Sequence, residues 1–142
     1  MELSKEVLDK IHDECIIDFL DSFAPETLKR IARDIKVTYR IVNRPRAYYY
    51  AVAFARSPKY TKITGQTYLI NKKEYLLVIE VNKATCKKYS KQWHRNLIKH
   101  ELSHIIEIVA NKATDKFGSW SDEYDHACLW KLIYGWFRKI NH

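Results

Sequence analysis

Residues 90–111 form a single helical pattern that is apolar over more than half its circumference, yet it carries two histidines and a glutamate inward. Placed at about 100° per residue, Trp93, Leu97, His100, His104 and Ile108 share one arc, and Ile98, Leu102, Ile105, Ile106 and Val109 fill the next. Asn96, Lys99, Ser103 and Glu107 are left as a narrow polar strip. Such a helix belongs in a core, where unpaired ionisable groups would cost several kcal/mol. Shared coordination of a cation offsets that cost. His100-Glu101-Leu102-Ser103-His104 supplies the donors: imidazoles one turn apart on one face reach a common Zn²⁺, and Glu101 stands close enough to take a proton from water activated there.

The rest of the chain is read around that helix. Ser4 is a predicted N-cap for a first helix whose stripe is Leu8, Ile11, Cys15, Phe19 and Phe23, ending before Pro25. A second helix is expected from Pro25 to about Ile35, with Leu28, Ile31, Ala32 and Ile35 inward. Strands follow over residues 36–42 and 48–55, then a hairpin with arms at Gln66 to Ile70 and Tyr75 to Val81 and its tip at Asn71 to Lys73. A last helix begins near Ser121, with His126, Leu129, Trp130, Ile133, Trp136, Phe137 and Ile140 at helical spacing. Trp130 and Trp136 read as core packing. The expectation is one α+β domain over residues 1–142: N-terminal helices to residue 35, a small meander sheet over 36–82, and metal-site helices over 90–141.

Catalytic zinc takes three protein ligands and leaves one position open. Glu107 lies a turn too far along a straight helix and suits a supporting role. Glu123 follows the motif at the spacing of thermolysin-related gluzincins, and His126 opens the inward face of the last helix. They are i,i+3 neighbours, so one can ligate while the other supports. His126 is the preferred third ligand and Glu123 the alternative, with Asp122 or Asp125 available to orient a histidine. Tyr124 and Tyr134 are candidates for stabilising an oxyanion, and an edge strand within Thr67 to Val81 could align an extended peptide.

The stretch from His100 to Trp136 resembles the SprT-like (Spartan-type) metalloprotease domain. The features that carry the resemblance are the HExxH sequence, His126 with Trp130 four positions on, and the preceding strand Leu76-Leu77-Val78-Ile79-Glu80-Val81. The chain departs from that pattern in a longer loop before His126 and in Ala127, where glycine is common. The resemblance implies a zincin-like (minimal gluzincin) fold, bound Zn²⁺, and hydrolysis of protein or peptide substrates, often proteins associated with DNA. No cysteine-rich ribbon is present, so any nucleic-acid contact must come from the domain's own surface.

Charge is unevenly placed. Residues 1–26 hold eight acidic and two basic side chains, whereas residues 29–62 hold ten Lys/Arg against Asp34 alone. Within the basic block, Arg40, Arg44, Arg46, Arg56, Lys59 and Lys62, interleaved with tyrosines, are candidates for phosphate contact. The same charges serve equally as a solvated face or as partners for the acidic first helix. A nucleic-acid-binding protein with a structural or vestigial zinc is therefore a second reading, although a structural zinc has no need of Glu101. A third is a gluzincin-like regulatory protease using Glu123. Cys15, Cys86 and Cys128 are too scattered for a ribbon or a disulfide framework and read as reduced thiols. With no apolar leader core and no run long enough to cross a bilayer, a cytoplasmic location is expected.

Overall fold

The computed structural model describes residues 3–43, 49–55, 67–70, 73–110 and 128–139. Helix α1 spans Lys5–Leu20, and the Ser4 hydroxyl accepts the Val7 N–H at 3.3 Å as its N-cap. Leu8, Ile11, Cys15 and Phe19 are all fully buried, the spacing that lays one stripe on a core. Phe23 does not continue that stripe and is 88% exposed. The helix ends at Leu20, so the phase that would have turned Phe23 inward is lost, and Ser22 and Ala24 are buried instead. Helix α2 spans Glu26–Asp34 with Pro25 at its N-cap, and it buries Leu28 and Ala32.

Four strands follow: β1 (Thr38–Val42), β2 (Tyr49–Ala55), β3 (Thr67–Ile70) and β4 (Lys73–Asn82). They do not form a meander. β4 is central, with β2 antiparallel along one edge and β1 parallel along the other, in the order β1-β4-β2. β3 pairs with the first part of β4 as a hairpin, but Lys73, expected in its tip, already belongs to β4 and stands opposite Ile70. The reason lies in β4 itself, where residues 77–82 are buried without alternation. A strand buried along its length in this way takes the interior place in a sheet and pairs on both edges.

Helix α3 (Lys83–Lys88), which periodicity did not reveal, follows β4 directly and is capped by the Asn82 side chain, which accepts the Ala84 N–H at 3.3 Å. Its six residues are too few to show a period. Helix α4 (Lys91–Ala110) then packs against α1, α2, β2, β4 and the final helix α5 (Cys128–Lys139). The architecture is α+β, a four-stranded mixed sheet with helices packed against it. Phe19 of α1 meets Phe137 of α5 at 4.5 Å between ring centroids, joining the first and last described helices in the same core.

Only half of the polar strip of α4 is solvated: Asn96 is exposed and Glu107 half-buried. Lys99 and Ser103 are fully buried, and Lys99 meets α1 there. Lys99 Nζ stands 2.9 Å from Asp18, Lys91 stands 3.9 Å from Glu14, and Arg95 also pairs with Glu14. The acidic first helix thus pairs with α4. Of the basic block, Arg40 instead meets buried Glu80 at 3.7 Å, across the β1–β4 ladder.

Candidate metal centre

The centre of the site is α4, whose burial is set by its own sequence. Ile98, Leu102, Ile105 and Ile106 are fully buried and fix the rotation of the helix. That rotation leaves Glu101 7% and His104 6% exposed, with His100 half-buried one turn earlier. One ligand atom from each of His100, Glu101 and His104 lies within 4.8 Å of the others. The imidazole centroids of His100 and His104 are 5.1 Å apart with ring planes at 70°.

This donor set suits a borderline-soft divalent cation. Imidazole nitrogens bind Zn²⁺ at about 2.0–2.1 Å, and the observed span is one that a single ion plus a water molecule can bridge. The residues present therefore fit zinc. Among the described residues, no other group of three such donors comes together. Glu107 does not join the cluster, consistent with its place a turn beyond His104.

Helix α5 closes the site from the far side. Trp130, only 8% exposed, stacks on His104 at 5.3 Å with an interplanar angle of 26° and meets the edge of His100 at 4.9 Å. Its Nε1–H donates to the backbone carbonyl of His100 at 3.1 Å. Tyr134, one turn on, stacks on Trp130 at 5.0 Å and approaches His100 to 5.8 Å, with the Arg138 guanidinium 5.4 Å from its ring. The sequence suggested core packing for Trp130. It is core packing, but against both imidazoles of the motif.

The back of α4 is held with equal firmness. Ser103 Oγ donates to the Lys99 carbonyl at 2.7 Å, and Lys99 is anchored on Asp18. His94, fully buried nearer the start of α4, donates from Nε2 to the Thr85 carbonyl at 2.8 Å. Burial holds its pKa below the usual histidine value, with the Thr85 hydrogen bond opposing that shift. It is a satisfied core histidine that ties α3 to α4.

His126, Glu123, Asp122, Asp125 and Tyr124 lie outside the described residues, as do Arg44, Arg46, Arg56, Lys59 and Lys62. Arg40 is described and engages Glu80. Its side chain is 45% exposed, and part of its charge is answered by Glu80 within the sheet. The chain matches no protein-family model, no curated protein and no solved structure.

Proposed function

We propose that this chain is a zinc-dependent metallopeptidase of SprT-like, zincin-like type. His100, His104 and His126 would hold the ion, and Glu101 would act as general base. The observation that carries the reading is the convergence of His100, Glu101 and His104 within 4.8 Å on a buried helix. Zinc bound there would supply Lewis acidity, polarising the scissile carbonyl and bringing the pKa of water near neutrality.

The chain's own groups do the rest. A carboxylate Oε of Glu101 takes the proton of the attacking water and returns it to the departing amine. Trp130 and the aliphatic residues of α4 keep bulk water from the back of the two imidazoles. His126 is the proposed third ligand, with Glu123 as the competing assignment. Protein or peptide is the proposed substrate, with nucleic-acid-associated proteins as the class the resemblance suggests. A cytoplasmic location is proposed with it. None of the described helices is long and apolar enough to cross a membrane.

The test is metal analysis of the wild type beside His126→Ala and Glu123→Ala. One equivalent of zinc in wild type and Glu123→Ala, with loss in His126→Ala, is the expected result. A folded wild type that takes up no zinc ends the peptidase reading. Loss confined to Glu123→Ala moves the third ligand there.

A further inference from the structure

Between Glu80 and Glu101 the chain carries six cationic side chains and no carboxylate. Lys91, Arg95 and Lys99 are taken up by Glu14 and Asp18 of α1. Lys83, Lys87 and Lys88 are exposed and make no ion pair among the described residues. Lys87 and Lys88 stand with Lys10 and Lys91 around a cavity of about 530 Å³ whose lining includes the aliphatic side chains of Leu3 and Val7 and no carboxylate.

Two kinds of polyanion suit a lysine rim, and the walls distinguish them. A nucleic acid would want an open aromatic face for its bases. Here Tyr89 is stacked on Trp93 at 4.0 Å, and the Lys88 ammonium lies 5.5 Å from the Tyr89 ring centre. That ring is already engaged, and the remaining walls are aliphatic. An acidic peptide that also carries apolar side chains matches both halves of the groove. The chain itself displays the pattern: α1 meets the neighbouring part of the same cationic run with an apolar stripe inward and with Glu14 and Asp18 set on Lys91, Arg95 and Lys99.

We propose that the groove at the junction of α1, α3 and α4 docks an acidic, leucine-like segment of a partner protein. Its carboxylates meet Lys10, Lys87 and Lys88, and its apolar side chains rest on half-buried Val7, with Leu3 buried behind it. Lys91 begins α4, so the nine residues to His100 at about 1.5 Å each separate the groove from the metal centre by roughly 14 Å. The docking site is thus independent of what the metal centre does.

The experiment is fluorescence anisotropy on the full chain with a labelled peptide of repeated Leu-Glu-Glu units. A Leu-Gln-Gln peptide and a single-stranded oligodeoxynucleotide serve as comparisons. Expected is saturable binding of the acidic peptide that weakens with salt, no binding of the glutamine peptide, and about tenfold or greater weakening in Lys87→Glu/Lys88→Glu. These lysines are exposed, so an unchanged Tm shows that the double variant is folded. Val7→Ser, which leaves every charge in place, should also weaken the peptide. The proposal is overturned if the wild type does not bind the acidic peptide. It is overturned too if the charge-reversed variant binds equally well, or if the oligonucleotide displaces the peptide and depends on the same lysines.

Discussion

The indole of Trp130 lies flat against the imidazole of His104, 5.3 Å between centroids and 26° between planes, while its N–H is bound to the carbonyl of His100. One side chain of α5 therefore fixes both histidines of α4: one through its ring and the other through its backbone. A ligand whose ring is already oriented loses less rotamer freedom when it takes a cation, so under the proposed function this contact would serve affinity as well as packing.

Trp130→Ala should lower zinc affinity by about 10–100-fold and cost roughly 3–5 kcal/mol of stability. Trp130→Phe keeps a ring against His104 and gives up only the hydrogen bond, about 1 kcal/mol. Competition against a chromophoric chelator, with urea titration alongside, separates the two effects. Equal zinc affinity in wild type and the alanine variant would reduce Trp130 to packing.

Glu101→Gln preserves size and helix propensity while removing the proposed base. Zinc content should stay at the wild-type level, and peptide hydrolysis should fall by about 100-fold or more. Metal analysis and a quenched-peptide assay on the same preparation check both halves. Wild-type turnover would remove Glu101 from the mechanism.

Asp18→Ala should be worse than Lys99→Met, although both break one ion pair. Lys99 is fully buried and Asp18 is 24% exposed, so the alanine variant strands an ammonium in the core. The lysine variant leaves a carboxylate that water can reach. The expected costs are about 3 kcal/mol for the aspartate change and under about 1 kcal/mol for the lysine change, read from urea midpoints. The reverse order would show that the pair is not buried in solution.

His12 supplies a pH dependence. Burial of His12 on α1 beside Tyr39 pushes its pKa down to about 4, and its Nδ1 lies 2.7 Å from the Tyr39 hydroxyl. The unfolded chain, with an ordinary histidine near 6.5, binds the proton first. Its contribution is therefore complete above pH 6.5 and is lost as pH falls from 6.5 towards 4, by about 3 kcal/mol at most. His12→Phe should flatten the stability profile in that window. Guanidinium titrations of both proteins from pH 4 to pH 7 test it, and superimposable slopes would rule His12 out.

What could be read from the residues was whatever one element decides alone. The Leu8, Ile11, Cys15, Phe19 stripe and the span of α4 follow from period and capping, and the donor cluster follows from one turn of helix. The misses required a partner. Lys99 reads as exposed until Asp18 is brought over it by α1, and Trp130 reads as generic core until α5 is docked. The β1-β4-β2 order was half visible, since an apolar run without alternation marks a central strand, but nothing local says which neighbours flank it. Phe23 failed because a period means nothing past the end of its helix. His126 and Glu123 fall outside the described residues, and their assignment rests on spacing and inward phase.

The central place of β4 has a temporal consequence. Thr38 finds its strand partner at Val78, and Val52 finds the same residue from the opposite edge. During synthesis, the first two strands leave the ribosome with no ladder to enter and must wait, aromatic and unpaired, until residues 73–82 emerge. The acidic first helix waits in the same way for its cations. A nascent chain halted before that point exposes sticky strands, and slowing translation there should raise its demand for chaperones.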